Sequence, residues 1–229
     1  MYPATSPSKR RAINGIARIT ANVLHEAGYR CCLFGSAACS IYGMRNRDPR
    51  DVDMVVFTSH DPEDIKRVIV EADGRFFTTP SRKPGETYRV LWFRLPRPSG
   101  FQGRRTCKVD ILITGTLDLP NVPKSKVVYT RVRGVPCVPM IVLLGMKLRG
   151  WVDHRKHPEP YYSDKQYDDI KDIAELLHIA VTAGEHVSDY SWLRRKFRQD
   201  MEVRIESFCR DAREDTEHLW RELGFDGDW

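Results

Sequence analysis

Two short apolar segments with polar residues at their ends most constrain what this chain can fold into. The first covers residues 30–34 and runs directly into Gly35 and Ser36, which predicts a strand that turns there into a short helix. The second begins Asp51-Val-Asp53 and continues as an apolar run, which predicts another strand. Because side chains two apart in a strand point the same way, we expect Asp51 and Asp53 to project together.

Two neighbouring carboxylates repel each other, so this arrangement needs a compensating cation or a raised pKa. Carboxylate oxygens are the usual protein ligands of Mg²⁺, and phosphates and water complete the coordination shell. A strand that turns into a helix at Gly35-Ser36 directs backbone amides and the helix dipole towards an anion. Taken separately, Asp-x-Asp also fits two solvated aspartates and Gly-Ser is common. Together they predict a metal site beside a phosphate site.

Asp110 is a third candidate ligand. It lies in the middle of residues 106–113, TCKVDILI, a predicted strand. An unpaired charge among apolar neighbours is costly to bury, so Asp110 needs a partner. Metal ions held by Asp51 and Asp53 would provide one.

The combination of these features resembles a known family. A hydrophobic strand, Gly-Ser, a short helix, Asp-hydrophobic-Asp and a later aspartate in its own strand are similar to the DNA polymerase beta-like nucleotidyltransferase superfamily. The segment between Ser36 and Asp51 is slightly longer than in most members. Residues 143–148 and 169–177 resemble the paired helices of small stand-alone members, such as fungal nucleotidyltransferase-like proteins. The resemblance covers residues 31–177.

This resemblance implies a mixed sheet flanked by helices, and an enzyme that uses two Mg²⁺ ions, with Mn²⁺ as the alternative. Such an enzyme moves a nucleoside monophosphate from a nucleoside triphosphate to a hydroxyl and releases pyrophosphate. Asp51 and Asp53 would hold the ion on the triphosphate, and with Asp110 they would hold the ion at the acceptor, where Asp110 is also the candidate base. The outer phosphates would bind at Gly35 and Ser36.

Lys147 is a further candidate, because it shares a helical stripe with apolar residues and could deliver its ammonium group to the triphosphate. A solvated surface lysine is the other interpretation. We expect Asp168, Asp169 and Asp172 to form a helix face that pairs with nearby lysines.

The fold class that these patterns predict is α+β. Strands and helices alternate up to Val138, and helices alone follow, so we expect a catalytic core at 1–138 and a helical region packed on it at 139–229. The predicted helices lie at 8–27, 35–42, 62–72, 140–152, 164–183 and 190–198, and a long amphipathic helix carries residues 201–223. The predicted strands lie at 30–34, 51–57, 87–95 and 106–113, with short strands around Gly134.

Composition narrows the function only slightly. The formal charge of +6 and the pI near 9.0 favour a polyanionic partner, although they also suit simple solubility. The 6 cysteines show no Cys-x-x-Cys pattern and no even spacing, so we expect them to be reduced and mostly buried thiols. The longest apolar run, 138–146, is too short to span a membrane, so we expect no membrane partner and a cytoplasmic location, with the nucleus as the alternative.

Two hypotheses remain open from the sequence. The first is a working nucleotidyltransferase whose acceptor is a small molecule, an RNA 3′ end or a protein side chain. The second is an inactive protein that keeps the fold and binds nucleotide or RNA. Three repelling aspartates favour the first, because a binding protein gains little from them.

Overall fold

The structure is a computed structural model that describes residues 7–96, 105–130 and 134–227. It has the predicted α+β fold. The strands of its mixed sheet are β1 (Cys31–Phe34), β2 (Val52–Val56), β3 (Phe76–Pro80), β4 (Arg89–Arg94), β5 (Thr106–Ile113), β6 (Val128–Tyr129) and β7 (Pro136–Cys137). The α-helices are α1 (Pro7–Glu26), α2 (Gly35–Tyr42), α3 (Pro62–Ala72), α4 (Met140–Lys156), α5 (Pro160–Thr182), α6 (Arg195–Asp211) and α7 (Glu217–Glu222).

The sheet order is β3-β4-β5-β2-β1-β7-β6, and this order positions the acidic residues. Strand β2 lies between β1, to which it is antiparallel, and β5, to which it is parallel. The register sets Asp53 opposite Phe34 on one side and opposite Asp110 on the other. Two strands far apart in the sequence therefore bring their aspartates to the same place on the sheet.

The chain divides into two compact units. The first comprises Met1–Ile41 and Asp48–Val138, and the second comprises Tyr42–Arg47 and Pro139–Trp229. In the first unit, α1 packs on β1 and β2 while α3 packs on β3 and β5. In the second unit, α4 packs against α5 and α6, and α5 also contacts α7. Gly145 allows the close α4–α6 approach, because a Cβ there would lie 2.8 Å from the Phe197 ring.

Most predicted elements are present. Strand β5 and helix α3 have the predicted bounds, and Asp61 caps α3 by accepting a hydrogen bond from the Glu63 amide at 2.7 Å. Strand β3 was missed. The long amphipathic helix was wrong as a single element, since α6 ends at Asp211, Arg213 adopts a left-handed φ of 56°, and α7 starts only at Glu217.

Three other predictions concern the rest of the chain. Residues 96–103, PRPSGFQG, have the proline and glycine content of an exposed loop between two predicted strands, and all of them except Pro96 lie outside the described residues. All the cysteines are free thiols, and all except Cys209 are buried, as predicted. Among the helices of the described ranges, none is long and apolar enough to cross a membrane.

Candidate metal and phosphate site

Three carboxylates meet at the centre of the sheet. Asp51 immediately precedes β2, Asp53 lies in β2, and Asp110 lies opposite Asp53 in β5. Each offers one oxygen, and these oxygens lie within 4.8 Å of one another. All three residues are partly exposed, so an ion can reach the cluster. The structure thus brings together the three aspartates that the sequence singled out.

A lysine accompanies this cluster. Lys108 lies two residues before Asp110 on the same face of β5, and its Nζ donates to Asp110 Oδ2 at 2.7 Å. Burial by itself would lower the pKa of Lys108, but the hydrogen bond to Asp110 and the charges of Asp110, Asp51 and Asp53 outweigh it and raise the pKa. The sequence reasoning missed Lys108, although the Lys-x-Asp spacing in a strand was a usable signal.

Gly35 touches the carboxylate of Asp53. A Cβ at position 35 would lie 2.0 Å from Asp53 Oδ2 and 2.8 Å from its Cγ. Gly35 also has a φ of +64°, a conformation that side chains rarely tolerate. Glycine is therefore required at this turn for two reasons, and the contact joins the predicted phosphate turn to the predicted metal ligands.

Ser36 follows in the first turn of α2 and is buried, with 7% of its surface exposed. The first turn of a helix leaves backbone N–H groups without intrahelical acceptors, and these groups attract anions. Because Gly35 contacts Asp53, the start of α2 lies directly beside the carboxylate cluster.

The surroundings of the cluster carry a negative potential. Burial raises the pKa of the Cys107 thiol to about 12, and the charges of Asp51, Asp53 and Asp110 add to the shift. Hard divalent cations such as Mg²⁺ and Mn²⁺ prefer oxygen ligands of this kind. The three carboxylates are therefore suitable ligands for a metal cation. The pairing of the Lys108 ammonium with Asp110 fits the same interpretation, because the cluster already binds one positive charge.

Comparisons with known proteins agree with this geometry at the level of the fold. No protein-family model matches the sequence, and no curated protein matches it. Among solved structures, an antigenic nucleotidyltransferase-like protein from Paracoccidioides brasiliensis is similar with a TM-score of 0.66 and 14% identity, over 96% of this chain and 95% of that one. The structure of JHP933 from Helicobacter pylori is similar with a TM-score of 0.54 and 16% identity, over 96% and 90% of the two chains. The fold is nucleotidyltransferase-like.

The remaining site residue predicted for a nucleotidyltransferase, Lys147, lies in α4 in the second unit. Its Nζ donates to Asp172 Oδ2 at 2.5 Å and lies 3.4 Å from Asp169 Oδ1. Its role as a phosphate ligand stays a prediction.

Asp172 is the centre of a buried ion cluster in this nucleotidyltransferase-like fold. Its side chain is 0% exposed and accepts from Arg47 Nη2 at 2.6 Å as well as from Lys147. Burial would raise the pKa of Asp172, but the charge of Lys147 and the hydrogen bond and charge of Arg47 lower it overall. The expectation that Asp169 and Asp172 pair with lysines of their own helix was wrong, because both are buried and pair with Lys147 and Arg47, which lie outside α5.

The same cluster anchors the segment Tyr42–Arg47 to α5. Glu175 accepts from the backbone amides of Arg45 and Asn46 at 2.6 and 2.8 Å. The Asn46 side chain donates to Asp172 Oδ1 at 3.0 Å. The segment that connects α2 to the strand of Asp53 is therefore held by hydrogen bonds that the sequence did not predict.

Proposed function

We propose that this protein is a divalent-metal-dependent nucleotidyltransferase. It would transfer a nucleoside monophosphate from a nucleoside triphosphate to a hydroxyl group and release pyrophosphate. The observation that carries the proposal is the meeting of the Asp51, Asp53 and Asp110 oxygens within 4.8 Å beside the Gly35 turn. The nucleotidyltransferase-like fold supports it but does not decide it, because one fold hosts many functions.

The carboxylates of Asp51, Asp53 and Asp110 would hold the metal, which we propose to be two Mg²⁺ ions with Mn²⁺ as the alternative. When bound, these ions supply positive charge to the triphosphate and increase the acidity of the acceptor hydroxyl. We assign Asp51 and Asp53 to the triphosphate side and Asp110 to the acceptor side. Asp110 is also the base that accepts the hydroxyl proton in this assignment.

The start of α2 would bind the outer phosphates. Its free amides point at the anion, and the Ser36 hydroxyl adds one donor, so charge that develops on the departing pyrophosphate is stabilised there. Lys147 would add a positive charge to the triphosphate, with its position fixed by Asp172. We propose residues 1–138 as the nucleotidyltransferase core and residues 139–229 as a helical region.

A second candidate is an inactive protein that binds nucleotide or RNA. One observation favours it: the ammonium of Lys108 already pairs with Asp110 and could serve in place of a metal ion. The pair is partly exposed, with 41% and 35% of the two side chains accessible, so it can separate when an ion arrives. We therefore prefer the enzyme.

We propose a cytoplasmic location, with the nucleus as the alternative.

The acceptor is a small molecule, an RNA 3′ end or a protein side chain, and one experiment can identify which. Each of the four nucleoside triphosphates, labelled at the α-phosphate, is incubated with the protein, Mg²⁺ and fractionated cell extract. We expect one fraction to become labelled, and no labelling when the γ-phosphate carries the label. The matched control is Asp51→Asn/Asp53→Asn. Equal labelling by this variant would contradict the proposal.

A further inference from the structure

A cavity of about 460 Å³ lies in the first unit, away from the carboxylate cluster. Its walls are the C-terminal part of α1, the start of β1, the strand β7 and the edge strand β6. Its volume is within the usual range for small-molecule sites, roughly 300 to 1,000 Å³. The charged and aromatic residues in its lining are His25, Tyr29, Arg30, Lys124 and Tyr129.

The cavity and the carboxylate cluster lie at opposite ends of β1. Cys31, which lines the cavity, begins the strand and pairs with Val56, whereas Phe34 ends the strand and pairs with Asp53. Three residue steps along a strand correspond to about 10 Å. The cavity also faces β7 and β6, while Asp53 and Asp110 lie in β2 and β5 on the other side of β1. It is therefore a separate site.

The lining of the cavity is basic. It contains Arg30 and Lys124, and it contains neither aspartate nor glutamate. Within the described part of the chain, neither of these two cations makes an ion pair. Arg30 Nη2 donates to the amide oxygen of Asn121 at 3.5 Å, and the Arg30 guanidinium lies 5.1 Å from the centre of the Phe57 ring. Lys126 lies in the same short turn as Lys124, and residues 119–130 and 134–138 carry no acidic residue. An uncompensated positive site of this kind attracts an anion such as a phosphate.

The aromatic residues favour a ligand with a flat ring. Tyr129 is 65% exposed on the edge strand β6, so its ring is available for stacking. Tyr29 is held in place, because its hydroxyl contacts His60 Nδ1 at 2.9 Å and the two rings pack edge to face. Nucleobases stack on exposed aromatic side chains, and neighbouring cations take the attached phosphate.

We propose that this cavity binds a nucleotide unit, that is, a phosphate ester with an attached base. Arg30 and Lys124 contact the phosphate, and Tyr129 stacks on the base. The unit is either a free nucleoside monophosphate or one residue of single-stranded RNA. This inference is independent of the proposed transferase activity, since it uses none of the three aspartates.

The test uses the full chain with Asp51→Asn/Asp53→Asn and no divalent cation, so that the carboxylate site does not bind nucleotide. Calorimetric titrations compare 5′-AMP, hexaadenylate RNA, adenosine and inorganic phosphate. We expect AMP or hexaadenylate to bind saturably and more tightly than adenosine or phosphate. Tighter binding of AMP identifies a free nucleotide as the ligand, and tighter binding of hexaadenylate identifies RNA.

Variants then locate the site. Tyr129→Ala and Lys124→Ala should each weaken binding at least about fivefold, the lower end of measured stacking and charged hydrogen-bond losses. Tyr129→Phe should bind as the parent does. The matched control is Lys126→Ala, which removes a lysine from the same short turn but outside the cavity lining. Thermal melts establish that each variant is folded.

The inference is overturned by an absence of saturable binding, by equal binding of phosphate or adenosine alone, or by Lys124→Ala behaving like Lys126→Ala.

Discussion

At the scale of single residues, two contacts define the candidate site. The Gly35 backbone lies against the Asp53 carboxylate, and the Lys108 ammonium lies against the Asp110 carboxylate. The first contact fixes where one ligand oxygen lies. The second supplies a positive charge that limits the repulsion among three neighbouring carboxylates. Each contact predicts whether a substitution strengthens or weakens metal binding.

Lys108→Met should strengthen metal binding in the absence of nucleotide. The substitution keeps much of the side-chain volume and removes a charge that competes with the metal for Asp110. The pair is partly exposed, so the gain should be modest, about two- to fivefold in Mn²⁺ affinity. Calorimetric titration with Mn²⁺ measures it, and Lys126→Met is the control for loss of a surface charge. Unchanged or weaker affinity would mean that Lys108 does not compete with the ion.

Gly35→Ala should weaken metal binding and destabilise the fold. The left-handed φ costs about 1 to 2 kcal/mol for a residue with a Cβ, and the new methyl group must displace the Asp53 carboxylate. Gly28→Ala is a matched control, since Gly28 has a φ of +83° and nothing within 4 Å of its would-be Cβ. Urea denaturation should show both variants less stable, and Mn²⁺ titration should show a loss only for Gly35→Ala. Equal metal affinity in the two variants would contradict the contact.

At the scale of helices and strands, the sequence predicts those elements whose own residues carry a recognisable pattern, such as a helix cap or a run of apolar residues. Strand β5 is rich in branched apolar residues, and α3 starts with an aspartate cap followed by proline, so both were predicted with the observed bounds. Strand β3 carries Thr-Thr-Pro and is stabilised by pairing with β4, which the sequence alone does not show. The burial of Asp172 was unpredictable for a similar reason, because its partner Arg47 is 125 residues away.

The aspartates of the candidate site were predictable for a different reason. Asp51 and Asp53 are constrained by the two-residue period of a strand, and that period can be read directly from the sequence. Asp110 was predicted from the cost of burying an unpaired charge in a strand, and the family resemblance supported it. That it lies beside the other two depends on the parallel pairing of β2 with β5, which no local pattern shows. Lys147 was placed correctly on a helix, whereas its pairing with Asp172 required the packing of α4 on α5.

Asp172→Asn should strongly destabilise the second unit, because it leaves Arg47 and Lys147 without their shared buried counter-charge. We expect a loss of about 3 kcal/mol at pH 7. Since the folded-state pKa of Asp172 is lowered, its stabilisation is present above the unfolded-state pKa of about 3.9 and is lost as the pH falls through the lower folded-state value. The difference between wild type and variant should therefore be constant from pH 7 to about pH 5 and narrow below about pH 4.

Urea denaturation at several pH values measures this difference. Asp164→Asn is the matched control on the same helix, and because Asp164 is exposed it should change the free energy of unfolding by less than about 0.5 kcal/mol. A difference that stays the same at pH 3.5 and pH 7 would show that the charge of Asp172 is not what stabilises the cluster.

At the scale of the whole molecule, the chain combines a net charge of +6 with a local concentration of negative charge at Asp51, Asp53 and Asp110. The positive surface favours the approach of a triphosphate, while the carboxylates would repel it unless a cation is bound. Metal and nucleotide should therefore bind cooperatively, each weakly alone. This dependence distinguishes a metal-dependent triphosphate site from a cluster of solvated aspartates.

The most direct test of the metal-dependent triphosphate site is a calorimetric melt with Mg²⁺ and a non-hydrolysable nucleoside triphosphate, added separately and together. A ligand at one hundred times its Kd stabilises the native state by about 2.7 kcal/mol. We expect the melting temperature to rise clearly only when both are present, and the rise to disappear in Asp51→Asn/Asp53→Asn while persisting in the exposed control Asp164→Asn/Asp168→Asn. No rise in the wild type with any of the four triphosphates, or the same rise in Asp51→Asn/Asp53→Asn, would contradict the metal site.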